Sequence, residues 1–174
     1  MTHPHPYRVL IVCHANTSRS VMAHSLLEKM LKERNVGHIT IRSGGIAIYA
    51  RDRMYASLDA RLILREHGIH LQAEDFVSTD LKRHRYLIDE ADLILTMTQE
   101  QKDMLDAYPE AESKPTYTLK EFAGEEGDID DPAMQGEDAF RARMVEIQRC
   151  LENSFDDLLS LSYRNEEPTS VSES

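Results

Sequence analysis

Tryptophan is absent, cysteine occurs twice, and no stretch of the 174 residues comes near the roughly 18 consecutive apolar positions of a membrane-spanning helix. Cys13 and Cys150 are too few for a disulfide framework or a cysteine-rich metal site, which fits a reducing compartment and leaves a cysteine free for chemistry. Basic residues are also scarce: 20 Lys and Arg stand against 31 Asp and Glu, a net charge of -11. That sign disfavours nucleic acid and anionic membrane as partners, so any phosphate recognition must be local. Positions 1–6 lack the charged start and apolar core of a secretory signal, and a cytoplasmic protein is expected. The eight histidines show no ligand spacing, and neither metal nor cofactor is expected.

What is present reads as one domain over residues 1–162, followed by a polar, apolar-poor tail over 163–174 that is expected to be disordered. Short β-rich runs at 7–12, 38–42, 91–96 and 116–117 alternate with helical periodicity at 20–32, 54–67, 99–107, 119–122 and 137–161. Ser78 or Thr79 is expected to cap a further helix running toward Asp89. Strand-helix alternation predicts an α/β fold with a parallel sheet covered by helices on both faces. Ligands of such sheets sit at the carboxyl ends of the strands, and Cys13 lies there.

The chemistry concentrates in "CHANTSRS", residues 13–20. A strand-to-helix junction points several backbone N–H groups into one concavity at the positive end of the helix, a nest suited to an oxyanion. The backbone of His14, Ala15, Asn16, Thr17 and Ser18 is expected to form that nest. Cys13, beside a helix N-terminus and a guanidinium, is placed to be a thiolate nucleophile. Arg19 offers a planar fork for two phosphoryl oxygens, and Ser20 is placed to bond the sulfur. Asn16 is suited to unusual backbone angles and to holding the loop by side-chain bonds to the backbone. An acid is still needed for the leaving group, and Asp131 in "GDIDDPAMQG" is the candidate, on a loop made extended by Pro132 and foldable by Gly127 and Gly136.

At these residues the chain resembles the low-molecular-weight protein phosphatase family, whose hallmark is an N-terminal Cys-x5-Arg-Ser loop with a C-terminal Asp-Pro. The resemblance covers residues 7–160 and extends to "RSGGI", "ADLILTMT", "YTLKEF" and "GDIDDP". It implies a flavodoxin-like doubly wound sheet of four parallel strands, no metal, no cofactor and a phosphorylated protein substrate. It also implies a phosphocysteine on Cys13, with Asp131 as acid and then base, and Ser43 supporting the loop by bonding Asn16. Thr17 matches the bacterial protein-arginine phosphatases that resemble this chain, where tyrosine-specific relatives carry a larger aliphatic residue. Phosphoarginine is therefore the expected substrate and phosphotyrosine the alternative.

Several positions depart from the family pattern. His14 and Ala15 replace smaller or glycine residues, Val21 replaces proline, and Ser18 stands where many relatives have a second cysteine. Ala133 replaces an aromatic that lines the substrate slot, for which Tyr49 or Tyr55 is the candidate substitute. Arsenate reductases share the loop but need further cysteines roughly seventy to eighty residues downstream, and positions 80–100 have none. A binding module that holds anions without turnover is the remaining alternative from a different class.

Overall fold

A computed structural model describes residues 5–164. Four strands, β1 (Tyr7–Cys13), β2 (Ile39–Gly45), β3 (Leu93–Thr96) and β4 (Thr116–Thr118), form one sheet in the order β2-β1-β3-β4, with every pairing parallel. Six helices accompany them: α1 (Arg19–Glu33), α2 (Leu58–Glu66), α3 (Tyr86–Glu90), α4 (Gln99–Met104), α5 (Leu119–Phe122) and α6 (Glu137–Arg164). This is the parallel sheet that the alternation predicts, with the four strands that the resemblance implies.

The central strand shows why. β1 is almost continuously apolar because both its faces are covered, as expected of a buried parallel strand. Val9, Ile11 and Cys13 point into the larger core, with Met22 and Leu27 of α1, Ile63 and Leu64 of α2, and Met144, Ile147 and Phe155 of α6. Leu10 and Val12 point the other way, toward Leu81, Ile88 and Leu105. The α6 stripe read from the sequence, Phe140 through Leu158, is buried throughout.

Three of the departures from the sequence reading have a visible cause or consequence. The second helix begins at Leu58, because Tyr55 bridges to Val77 and Ser57 serves as the N-cap by accepting the Ala60 N–H. Ser78 and Thr79 cap no helix: Ser78 Oγ accepts the Met54 N–H, Thr79 bonds the end of β2 and the loop after β1, and α3 starts only at Tyr86. Tyr163 and Arg164, read as tail, continue α6, while the rest of the expected tail lies outside the described residues.

"SGG" at the end of β2 brings the sheet to the loop after Cys13. Gly45 is paired with Cys13, and a Cβ built on it would lie 2.7 Å from the His14 carbonyl oxygen and 2.8 Å from the Ala15 carbonyl carbon. Backbone cannot yield as a flexible side chain does, so Gly45→Ala is expected to destabilise the fold by about 2 kcal/mol. Gly37→Ala, with nothing within 4 Å of the added carbon, is the control, and the urea midpoints of the two variants check the contrast.

Candidate active site

Cys13 closes β1 at the carboxyl edge of the sheet, and the chain then turns through residues 14–18 into α1. The turn depends on Asn16, whose φ of 61° lies in the left-handed region that asparagine tolerates better than most side chains. The Thr79 N–H donates to Asn16 Oδ1 at 2.9 Å, which fixes the amide and leaves Nδ2 to donate to Ser20 Oγ at 2.8 Å. Ser20 Oγ and Cys13 Sγ share a hydrogen bond at 2.9 Å. A second donor, the Asn16 backbone N–H, reaches the same sulfur at 3.2 Å. Among the described residues, the N–H groups of His14, Ala15, Thr17 and Ser18 meet no acceptor, so these donors remain available to an anion.

Arg19 is buried beside this loop. Its NH1 donates to the Ile129 carbonyl at 2.8 Å, and NH2 donates to His14 Nδ1 at 3.2 Å. Asp131 Oδ2 stands 4.0 Å from the same NH2. Asp131 Oδ1 accepts the Ala133 N–H at 3.0 Å, which orients the carboxyl group. Of the residues singled out for chemistry in the sequence, Arg19 and Asp131 thus come within 4.0 Å across 112 positions of chain, with Arg19 in the loop that opens at Cys13.

Tyr49 stands at the mouth. Its ring stacks beside that of His14, with centroids 6.4 Å apart and planes 12° from parallel. Its phenol is held above the usual range first by burial and then by the Asp131 charge, with Cys13 and Glu100 adding and Arg19 opposing. Tyr55 is drawn instead into the bridge to Val77.

Ser43 requires a correction. It does not bond Asn16, whose side-chain oxygen is taken by Thr79; its hydroxyl meets His24 Nδ1 at 2.8 Å, and His24 Nε2 meets Glu28 at 2.7 Å. Ser18, where many relatives have cysteine, shares a hydrogen bond with Ser57 Oγ at 2.8 Å, and the Ser57 N–H donates to the Thr17 carbonyl. Sequence reasoning missed Ser57, Thr79, Ile129 and Gln101. Thr79 and Ile129 act through backbone atoms, which side-chain identity does not reveal. Gln101 sits at the N3 position of a Thr-x-x-Gln capping box, a signal that marks a helix start and says nothing of its outward contact. Among the described residues, no group of three or more His, Cys, Asp or Glu side chains is placed to hold a metal ion.

The family model for low molecular weight phosphotyrosine protein phosphatase matches residues 8–162. The chain belongs to this family. It is similar to a protein-arginine-phosphatase of Geobacillus stearothermophilus, 37% identical over 84% of this chain and 93% of that one. It is also similar to the low molecular weight protein-tyrosine-phosphatase PtpB of Staphylococcus haemolyticus, 34% identical over 80% of this chain and 91% of that one. Among solved structures it matches the YwlE arginine phosphatase in a cysteine-to-serine mutant whose active-site serine is phosphorylated. That match has a TM-score of 0.76 at 29% identity, covering 87% of this chain and 95% of the other. The protein is a phosphatase of this family, with a cysteine in the loop that defines it.

Cys150, the other thiol, is fully buried in α6, and burial with the Glu125 carboxylate beside it pushes its pKa up to about 11. Iodoacetate, itself an anion, is therefore expected to alkylate Cys13 and spare Cys150 at neutral pH, with inorganic phosphate protecting. Peptide mapping by mass spectrometry checks this, and equal labelling of both thiols would contradict it.

Proposed function

We propose that this protein is a protein-arginine phosphatase working through a phosphocysteine. Cys13 Sγ attacks phosphorus as the bond from phosphorus to the guanidine nitrogen breaks, and Asp131 gives its proton to the departing nitrogen. Asp131 then takes a proton from water, the water oxygen attacks the phosphocysteine, and inorganic phosphate leaves as the sulfur regains its electron pair. Ser20 donates to the sulfur in both its attacking and its leaving form. Arg19 and the N–H groups of residues 14, 15, 17 and 18 hold the equatorial oxygens, where charge gathers in both transition states.

The observation that carries this reading is the placement of Asp131 against Arg19, which stands in the loop whose Cys13 sulfur is hydrogen-bonded by Ser20 and by the Asn16 N–H. The choice of phosphoarginine is supported by Thr17 in the loop, by Ala133 where an aromatic would stack on a phenol, and by the acidic mouth. Glu100, 3.6 Å from His14 Nε2, places a carboxylate beside the loop, which favours a guanidinium over a neutral ring. The exposed Tyr49 ring favours phosphotyrosine as the second reading.

The substrate in this reading is a protein rather than nucleic acid or membrane, on the net charge of -11. Among the described residues no helix is long and apolar enough to cross a membrane. A cytoplasmic setting, keeping Cys13 reduced, is part of the proposal, as is a single catalytic domain over residues 1–162.

Steady-state rates on phosphoarginine and phosphotyrosine peptides test it. Cys13→Ser is expected to abolish turnover and Asp131→Asn to lower kcat by about 10² to 10⁴. Thr17→Ile is expected to lower the phosphoarginine rate while the phosphotyrosine rate holds or rises. Turnover that survives Cys13→Ser would sink the mechanism, and a native preference for phosphotyrosine would sink the substrate assignment.

A further inference from the structure

Gln101 is fully buried at the start of α4, far in sequence from the phosphate-binding loop. Its orientation follows from its partners. Oε1 accepts two backbone N–H groups, from Met97 at 2.9 Å and Thr98 at 3.1 Å, so the other end of the amide must be the NH₂ group. That Nε2 lies 2.8 Å from His14 Nδ1. An amide NH₂ only donates, so Nδ1 is an acceptor and the neutral imidazole carries its hydrogen on Nε2, facing Glu100 Oε2 at 3.6 Å.

Arg19 NH2, which also only donates, reaches the same lone pair of His14 Nδ1 at 3.2 Å. On the other side NH1 is held by the Ile129 carbonyl. Both bonds grip the guanidinium through its terminal nitrogens, leaving Nε–H and the second hydrogen of each terminal nitrogen for phosphoryl oxygens.

We propose that Gln101 is a positioning residue for phosphate binding: it sets the His14 tautomer, and His14 in that tautomer fixes the plane of Arg19. The inference rests on the reading of Arg19 as the phosphoryl clamp. A guanidinium without this acceptor loses one of its two anchors and must be ordered by each incoming phosphate, a cost that appears in binding.

Gln101→Glu isolates the effect. One carboxylate oxygen keeps the Met97 and Thr98 N–H bonds, so the cap of α4 survives. The other oxygen replaces a donor by an acceptor facing His14 Nδ1, which must then carry hydrogen and can no longer receive Arg19. The variant is expected to keep its melting temperature, to weaken competitive inhibition by inorganic phosphate about tenfold and to lower kcat/KM to a similar degree. In ¹⁵N-histidine spectra, Nδ1 of His14 is expected to be unprotonated in the parent and protonated in the variant. His14→Asn, whose Oδ1 restores an acceptor, should hold phosphate better than His14→Leu.

Phosphate inhibition and kcat/KM within twofold of the parent in a folded Gln101→Glu, or a parent His14 bearing hydrogen on Nδ1, would overturn the proposal. Arg19→Lys runs alongside. Unchanged phosphate inhibition in that variant would refute the clamp itself, whereas its loss beside an unaffected Gln101→Glu would refute only the role of Gln101.

Discussion

The reactive sulfur is held by a chain of directed hydrogen bonds that begins outside its own loop: Thr79 N–H to Asn16, Asn16 to Ser20, Ser20 to Cys13. The first links fix each other, because an amide whose oxygen is occupied can only donate with its nitrogen, and Ser20 Oγ, having accepted from that nitrogen, is held against the sulfur. Asn16 is the pivot, since it supplies both the positive φ that lets the chain double back and the side chain that spans the turn. The glycine pair at the end of β2 belongs to the same constraint, because Gly45 leaves room for the loop backbone and donates its N–H to the Thr79 carbonyl.

The acid loop is secured separately and at several points. Ile129 donates to the Met97 carbonyl and accepts from Arg19, Asp128 accepts the Gln99 N–H, and Asp130 faces Arg143 of α6 at 3.8 Å. Asp131 itself is exposed. A general acid must exchange its proton with solvent between steps, and anchoring the loop through its neighbours leaves that carboxyl free to do so. Arg19 joins the two halves, bonded to the acid loop on one edge and rooted in α1 by its own backbone.

The sequence was most legible where function is local. A strand, a cysteine, five residues and an arginine lie within one turn of the chain, so their roles follow from spacing and from the chemistry of a helix N-terminus. Asp131 was legible as a candidate because Asp-Pro between glycines describes an ordered acidic loop, but only the fold brings it beside Arg19. The failures share a cause. Thr79 acts by its amide and Ile129 by its amide and carbonyl, which every residue but proline possesses. Ser78 and Thr79 carry a capping signature and spend it on a bridge and a loop. Ser43, expected against Asn16 by resemblance, faces His24 because the Asn16 oxygen is already occupied.

The long helix α6 has a consequence for how the molecule comes into being. It follows every strand in the chain and supplies Phe140, Met144, Ile147 and Phe155 to the core shared with α1 and α2. A ribosome-bound chain that has already released "CHANTSRS" therefore still bares Met22, Leu27, Ile63 and Leu64 to solvent, as a target for chaperones. Birth of the phosphatase coincides with emergence of its final helix, and truncated translation products ending before that point have no lid for their largest greasy surface.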